Sequence, residues 1–397
     1  MTVRKTSLML SALALGLATQ PLLAQDQQPL TFYGVKSLSG AFASYGKYAE
    51  MGSRLAVEEA RETLGRDIEY VSLDTEGNAG RAIRKVQEAI NQDGGRLFNG
   101  ATLSSTALAV GKEVAGVEGV FMTPAGADEL TGSECNASTF RWSVPTYGAI
   151  RETLVPLIEA LPEAKRFYTI TPEYVFGEAL LDNAKAVFEE YGVEHVGNSY
   201  HSLQEQEFSG YLTNAMSAAP DVLVLLNFGS QSSNALRQAR NFGLNEQMDI
   251  LMVWSAGLDQ FEELGAANVD GIYFGAQYWH EVDTPFNQQL VASVREAYDI
   301  TPTYPLAADY TMTRVMLEVA DASGASEGPT LIEALEGYTY QGPTGEETIR
   351  ASDHQVIKDY YLLKGKAEGE MEDPDDYADV ISAGRSFVTP EDSPCQL

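Results

Sequence analysis

The sequence predicts an α/β protein of two similar halves, each built on a parallel sheet, with a cleft between them. Three observations carry this. Short apolar, β-rich runs alternate with longer stretches of helical periodicity, which is the grammar of repeated βαβ units. The same grammar restarts after Glu163. One run, Val222 to Leu226, is continuously apolar, as a strand covered on both faces must be.

In order, a strand is predicted over Leu30 to Val35, followed by the turn-rich Ser37-Leu38-Ser39-Gly40. A helix from Tyr45 to Leu64 follows, with Ala49, Leu55, Ala56 and Ala60 on one face. Next come a strand at Ile68 to Leu73, a helix at Gly80 to Gln92, a strand at Arg96 to Phe98, a helix from Ser104 or Ser105, and a strand at Gly119 to Met122. The second set comprises strands Phe167 to Ile170, His195 to Tyr200, Val222 to Leu226, Ile250 to Val253 and Gly271 to Phe274, with helices Gly177 to Tyr191 and Ser232 to Phe242. Helices Pro285 to Tyr298 and Leu306 to Ala322 are expected to return to the first half.

The 397 residues include 26 basic and 57 acidic side chains, a formal net charge of −31. Nucleic acid and anionic lipid are bound through Lys and Arg clusters, so neither is expected as a partner. Arg4 and Lys5, the apolar stretch Leu8 to Leu17, and Ala24 before Gln25 form the pattern of a cleaved secretory signal over residues 1–24. No later run approaches the roughly 20 apolar residues of a membrane span. An exported location makes the two cysteines, Cys135 and Cys395, a disulfide pair enclosing about 260 residues. That bond would pin the acidic C-terminal tail to the body. His195, His201, His280 and His354 lack ligand spacing, so no metal site or cofactor is expected.

No G-x-S-x-G elbow, Walker A loop, H-E-x-x-H or G-x-G-x-x-G after the first strand is expected, and the chain reads as a non-enzyme. What remains is a set of loops at strand carboxyl ends, where open α/β sheets bind ligands. Ser104-Ser105-Thr106 opens a helix whose free N–H groups suit a carboxylate, although hydroxyls there serve equally as caps. Thr123-Pro124-Ala125-Gly126-Ala127 ends the next strand with small residues that allow close approach to the backbone.

Ser39-Gly40 with Tyr45-Gly46, Gly100 with Ser104-Ser105, and Thr123-Pro124-Ala125 with Glu129-Leu130-Thr131 occur in an order that resembles a known family. Phe176-Gly177-Glu178, Leu236 to Arg240, Gly342-Pro343 and Asp353-His354-Gln355 continue the match along nearly the whole mature chain. It is similar to the leucine/isoleucine/valine-binding proteins, the type I periplasmic solute-binding components of ABC importers. The resemblance implies two Rossmann-like lobes with parallel central sheets joined by a three-strand hinge. The expected boundaries are 27–146 and 279–353 for lobe 1, 147–278 and 354–380 for lobe 2, and 381–397 for the tail.

The resemblance also implies a function: a monomeric periplasmic receptor that closes over a small solute and delivers it to ABC permease and ATPase subunits. A solute sensor feeding a signalling receptor, or a binder of a small amide or urea, is the alternative. Carried over by residue, Ser104 or Ser105 with Ala125 and Gly126 would grip a carboxylate. Tyr45 would wall the pocket from lobe 1, and Phe176 and Phe228 from lobe 2. Where branched-chain amino-acid binders hold the solute's ammonium with a threonine and a carboxylate, this chain has Ala127 and Ser255. Either another acid, such as Asp128 or Asp309, takes over, or the solute has no amine, since an unpaired buried cation is costly. Tyr147 and Tyr278, with Trp142, Trp254 and Trp279, lie in stretches expected to line the cleft and suit a flat or apolar acid.

Overall fold

The computed structural model describes residues 29–325 and 328–397, so the signal sequence expected over residues 1–24 lies outside the described residues. The first sheet is parallel throughout and ordered β2-β1-β3-β4-β5. Its strands are β1 (Leu30–Lys36), β2 (Ile68–Asp74), β3 (Leu97–Gly100), β4 (Val120–Thr123) and β5 (Thr139–Arg141). The helices α1 (Ala43–Leu64), α2 (Ala79–Asp93) and α3 (Ser104–Ala115) connect them. The loops after α1 and α2 turn through left-handed Gly65 and Gly94, a conformation glycine adopts without strain.

After α4 (Thr146–Ala160) the chain builds a second sheet from β6 (Arg166–Pro172), β7 (Glu194–His201), β8 (Val222–Leu225), β9 (Asp249–Met252) and β10 (Tyr273–Ala276). Between these strands lie α5 (Val175–Tyr191), α6 (Ser209–Ala218), α7 (Ser230–Asn241), α8 (Leu258–Leu264) and α9 (Ala266–Val269). Then α10 (Pro285–Tyr298) and α11 (Tyr304–Ser323) carry the chain back, and α11 packs along α1. The bounds of α10 coincide with those expected, because Thr284 caps it and Pro285 is pre-set for its first turn. Helix α12 (Gly328–Leu335) leads to a small antiparallel sheet of β11 (Thr339–Gly342), β12 (Gly345–Ile349) and β13 (Val356–Ile357). Finally β14 (Tyr360–Gly365) and β15 (Ala378–Gly384) add antiparallel to the second sheet, ordered β15-β14-β10-β9-β8-β6-β7.

The alternation expected from the sequence is therefore present in both halves. Helices α4 and α6 and the late antiparallel strands were not anticipated. Residues 381–384, expected in the tail, lie in β15, where Ser382, Ala383 and Gly384 pair with β14.

The chain passes between the two sheets three times, through 142–145, 277–284 and 354–359, and the passes are bonded to one another. Gln277 binds Val144 through both its N–H and carbonyl at 2.9 Å, and Lys358 Nζ donates to the Gln277 carbonyl at 2.7 Å. The tail makes a fourth, covalent link. It leaves β15, its Val388 carbonyl accepts from Arg350 at 2.9 Å, and it ends at the Cys135–Cys395 disulfide, with Cα atoms 5.7 Å apart.

Candidate functional site

Residues from both halves converge on one small pocket lined by Tyr45, Thr102, Pro124, Gly126, Tyr174, Phe176, Phe228 and Trp254. Apart from Tyr45 on α1, each follows the carboxyl end of a parallel strand: Thr102 after β3, Pro124 and Gly126 after β4, Tyr174 and Phe176 after β6, Phe228 after β8, Trp254 after β9. The topology thus aims five strand ends at one point, the position that open α/β sheets use for ligands.

The walls are aromatic and set at angles. Phe176 stands edge-on to Trp254 at 5.0 Å and to Phe228 at 5.5 Å, and Phe228 stacks across the cleft on Phe42 at 5.5 Å. The lobes are closed here. A cavity of about 10 Å³ remains, room for about one water, so an organic solute enters only when the lobes part. Gly126 is the tightest point of the closure: a Cβ there would come within 2.6 Å of Trp254 and 2.8 Å of Phe176.

The polar groups at this end come from α3. Its N-cap is Leu103, which offers no side-chain cap, so the first-turn N–H groups have no capping oxygen. Ser104 is buried, and its Oγ accepts from the Ala127 N–H at 3.2 Å, which leaves its own proton to donate. The buried Thr106 hydroxyl has no partner among the described residues. Backbone donors, a free hydroxyl and the positive end of a helix suit an anion.

Of the expected residues, Tyr45, Gly126, Phe176 and Phe228 meet in the pocket, with Ser104, Ala125 and Ala127 in the layer behind it. Four others do not meet there. Ser105 is exposed on the outer side of α3. Ser255 spends both its N–H and its hydroxyl on the Gly275 carbonyl, each at 2.8 Å, and the neighbouring Trp254 faces the pocket instead. Tyr278 is buried in the core. Tyr147 lines a separate cavity of about 330 Å³ beneath the tail, shared with Asp128, Arg141, Asn183, Asp353 and Phe387.

That cavity is larger, but most of its charged groups are already committed, although the Glu129 Oε2 has no hydrogen-bond partner among the described residues. Arg350 pairs with Asp353, Asp128 accepts from Tyr147 and Asn183, and Arg141 donates to Gln355 and to the Ala127 carbonyl. The aromatic pocket is therefore the better candidate. Thr102 and Tyr174 were not foreseen, although both follow strands whose ends could be read from the sequence. Trp142 and Trp279 are structural: their indole N–H groups donate to Glu347 and Glu281, each at 2.9 Å.

Neither acid suggested for the missing ammonium clamp serves it. Asp128 belongs to the other cavity. Asp309 is sealed in lobe 1 by Lys36, alongside Asn99. The G-x-S-x-G string at 324–328 follows helix α11 rather than a strand, and its residues 326–327 lie outside the described residues.

Known proteins share this architecture. A family model described as periplasmic binding protein matches residues 34–370. The amino acid ABC transporter substrate-binding protein of Pseudomonas fluorescens Pf-5 is 68% identical, with a TM-score of 0.90 over 93% of this chain and 99% of that one. A periplasmic binding protein of Burkholderia mallei is 25% identical, with a TM-score of 0.85 over 93% and 98%. A solute-binding protein of R. palustris in complex with benzoate shares the fold at 22% identity, with a TM-score of 0.80 over 93% and 100%. No curated protein matches. Two sheets joined by three crossovers, a pocket at their facing strand ends, and a family match over most of the sequence lead to one conclusion: the chain belongs to the periplasmic binding protein family.

Proposed function

We propose that this protein is the extracytoplasmic solute receptor of an ABC importer, closing its two lobes on a small carboxylate-bearing solute and passing it to the permease. The observation that carries this reading is the convergence of facing strand ends on an aromatic pocket that has an uncapped helix terminus at one end. The first turn of α3 and Ser104 take the carboxylate; Tyr45, Phe176, Phe228 and Trp254 take the apolar part. Closure is a population shift: a solute that touches both lobes favours the state in which Phe42 and Phe228 stack and Gly126 meets Trp254. The closed face then distinguishes loaded from empty receptor for the permease and ATPase subunits. The signal-like residues 1–24 support a periplasmic location, and the amino-acid transporter relative supports a small organic solute.

A thermal-shift screen of the mature protein tests this. A matching carboxylate at a hundredfold excess over its Kd should stabilise by about 2.7 kcal/mol. The same acid as its methyl ester should give no shift. Equal stabilisation by acid and ester would refute the carboxylate assignment.

A further inference from the structure

A buried positive charge stands one peptide group behind the anion end of the pocket. Arg141, the last residue of β5, is 2% exposed and forms no ion pair among the described residues. The charged groups around it are Asp128, Glu129, Asp353 and Arg350. Asp353 is paired with Arg350, and Asp128 accepts from the Tyr147 N–H and from Asn183. Burial lowers the Arg141 pKa to about 10, so the guanidinium stays charged at neutral pH. A buried cation is costly unless its N–H groups are bound. Here they are bound to neutral oxygens: Gln355 Oε1 at 2.6 Å, the Thr131 hydroxyl, and the carbonyls of Gly126 at 3.3 Å and of Ala127.

The Gly126 carbonyl shares a peptide group with the Ala127 N–H, which donates to Ser104 Oγ at 3.2 Å. Its oxygen is held twice, by Arg141 and by the Thr146 N–H at 2.9 Å. With the oxygen held there, the peptide presents its N–H to Ser104, and the Ser104 proton is left for the solute. Turned over, the same peptide would present an oxygen to Ser104, whose hydroxyl would then donate to it and offer the solute only lone pairs. The orientation of this one peptide decides whether the α3 end of the pocket donates or accepts. Glycine at 126 has the backbone freedom for either turn, and Arg141 removes that freedom. A charge at the head of a hydrogen-bonded chain also strengthens the bonds that follow it.

We propose that Arg141 is a positioning residue for the solute's carboxylate: acting through the Gly126–Ala127 peptide and the Ser104 hydroxyl, it makes the α3 end of the pocket a donor and so selects an acid over its neutral amide. This rests on the receptor reading above. An amide brings N–H donors to an end already filled with donors, whereas a carboxylate only accepts.

The test is isothermal titration of the mature protein with acids and their amides, L-leucine against L-leucinamide and benzoate against benzamide. The wild type should prefer each acid it binds. Arg141→Gln should lower that acid-to-amide ratio about tenfold, the loss of one charge-assisted hydrogen bond. Arg141→Lys keeps the charge without the planar fork and should lower it about threefold. A merely structural role would weaken acid and amide together and leave the ratio unmoved. Melting transitions establish that each variant is folded, and an unchanged ratio in either folded variant overturns the inference while the receptor reading stands. If acid and amide bind the wild type equally, or no acid binds it at millimolar concentration, both readings fail together.

Discussion

Two fully buried lysines show how differently this chain treats a lobe and a hinge. In lobe 1, Lys36 of β1 pairs directly with Asp309 of α11, and Asn99 of β3 bonds to both and to Ser53 and Thr313. At the crossovers, Lys358 also sits near a buried acid, Glu347, but the indole of Trp142 separates them. The ammonium lies 4.2 Å from the ring centre, and Glu347 accepts from the indole N–H at 2.9 Å. The other partners of Lys358 are the carbonyls of Gln277 and Asp359. A direct ion pair fixes one geometry, which suits a body that moves as a unit. Carbonyls and a ring face tolerate small rotations, which suits segments that must twist as the lobes part.

The largest expected effect breaks the lobe network. Asp309→Asn leaves Lys36 buried without its counter-charge and should cost about 3–5 kcal/mol in urea unfolding, whereas Lys36→Met with Asp309→Leu together should recover most of it. A loss under 1 kcal/mol for the single variant would remove the contrast.

The next effect concerns pH. Burial holds the Lys358 pKa down at about 8, below the 10.5 usual for lysine. As pH rises, the folded chain therefore releases this proton first, and stability grows through the window from about 8 to 10.5. Below it, the buried charge is a constant cost. The full rise is about 3 kcal/mol at about 1.4 kcal/mol per pH unit. Urea midpoints at pH 7.5 and 9.5 should show the wild type gaining on Lys358→Met; parallel shifts would contradict this.

The smallest expected effect is Trp142→Phe, which keeps a ring over Lys358 but takes a donor from Glu347. The cost should be about 1–3 kcal/mol in melting experiments. A drop larger than that of Asp309→Asn would reverse the ranking of lobe over hinge.

Much of the fold was legible because its signals are local. An apolar run such as Val222 to Leu226, or Thr284-Pro285 opening a helix, fixes its own conformation within a few residues. The elements missed are those whose partners are remote. Strand β15 is largely exposed and is defined by pairing with β14, and α4 packs across the second sheet from the crossover side. The disulfide was legible by elimination, since an exported chain with two cysteines has one way to pair them.

The candidate site divides along the same line. Which loops face the cleft follows from strand order and direction, and that was readable for Ser104 and Gly126, whereas Tyr45, Phe176 and Phe228 were what the family resemblance implied. Which side chain of a loop points inward was not readable. Trp254 and Ser255 follow the end of β9, and the bonds of Ser255 to the Gly275 carbonyl of β10 turn its side chain away and leave Trp254 to line the pocket. The sequence by itself determined two lobes, their sheets, the facing strand ends and an anion-ready helix terminus. Only the tertiary structure decided that Tyr147 and Tyr278 stand elsewhere and that Lys36 silences Asp309. Those facts depend on where two separately folded bodies touch, and no local pattern encodes that distance.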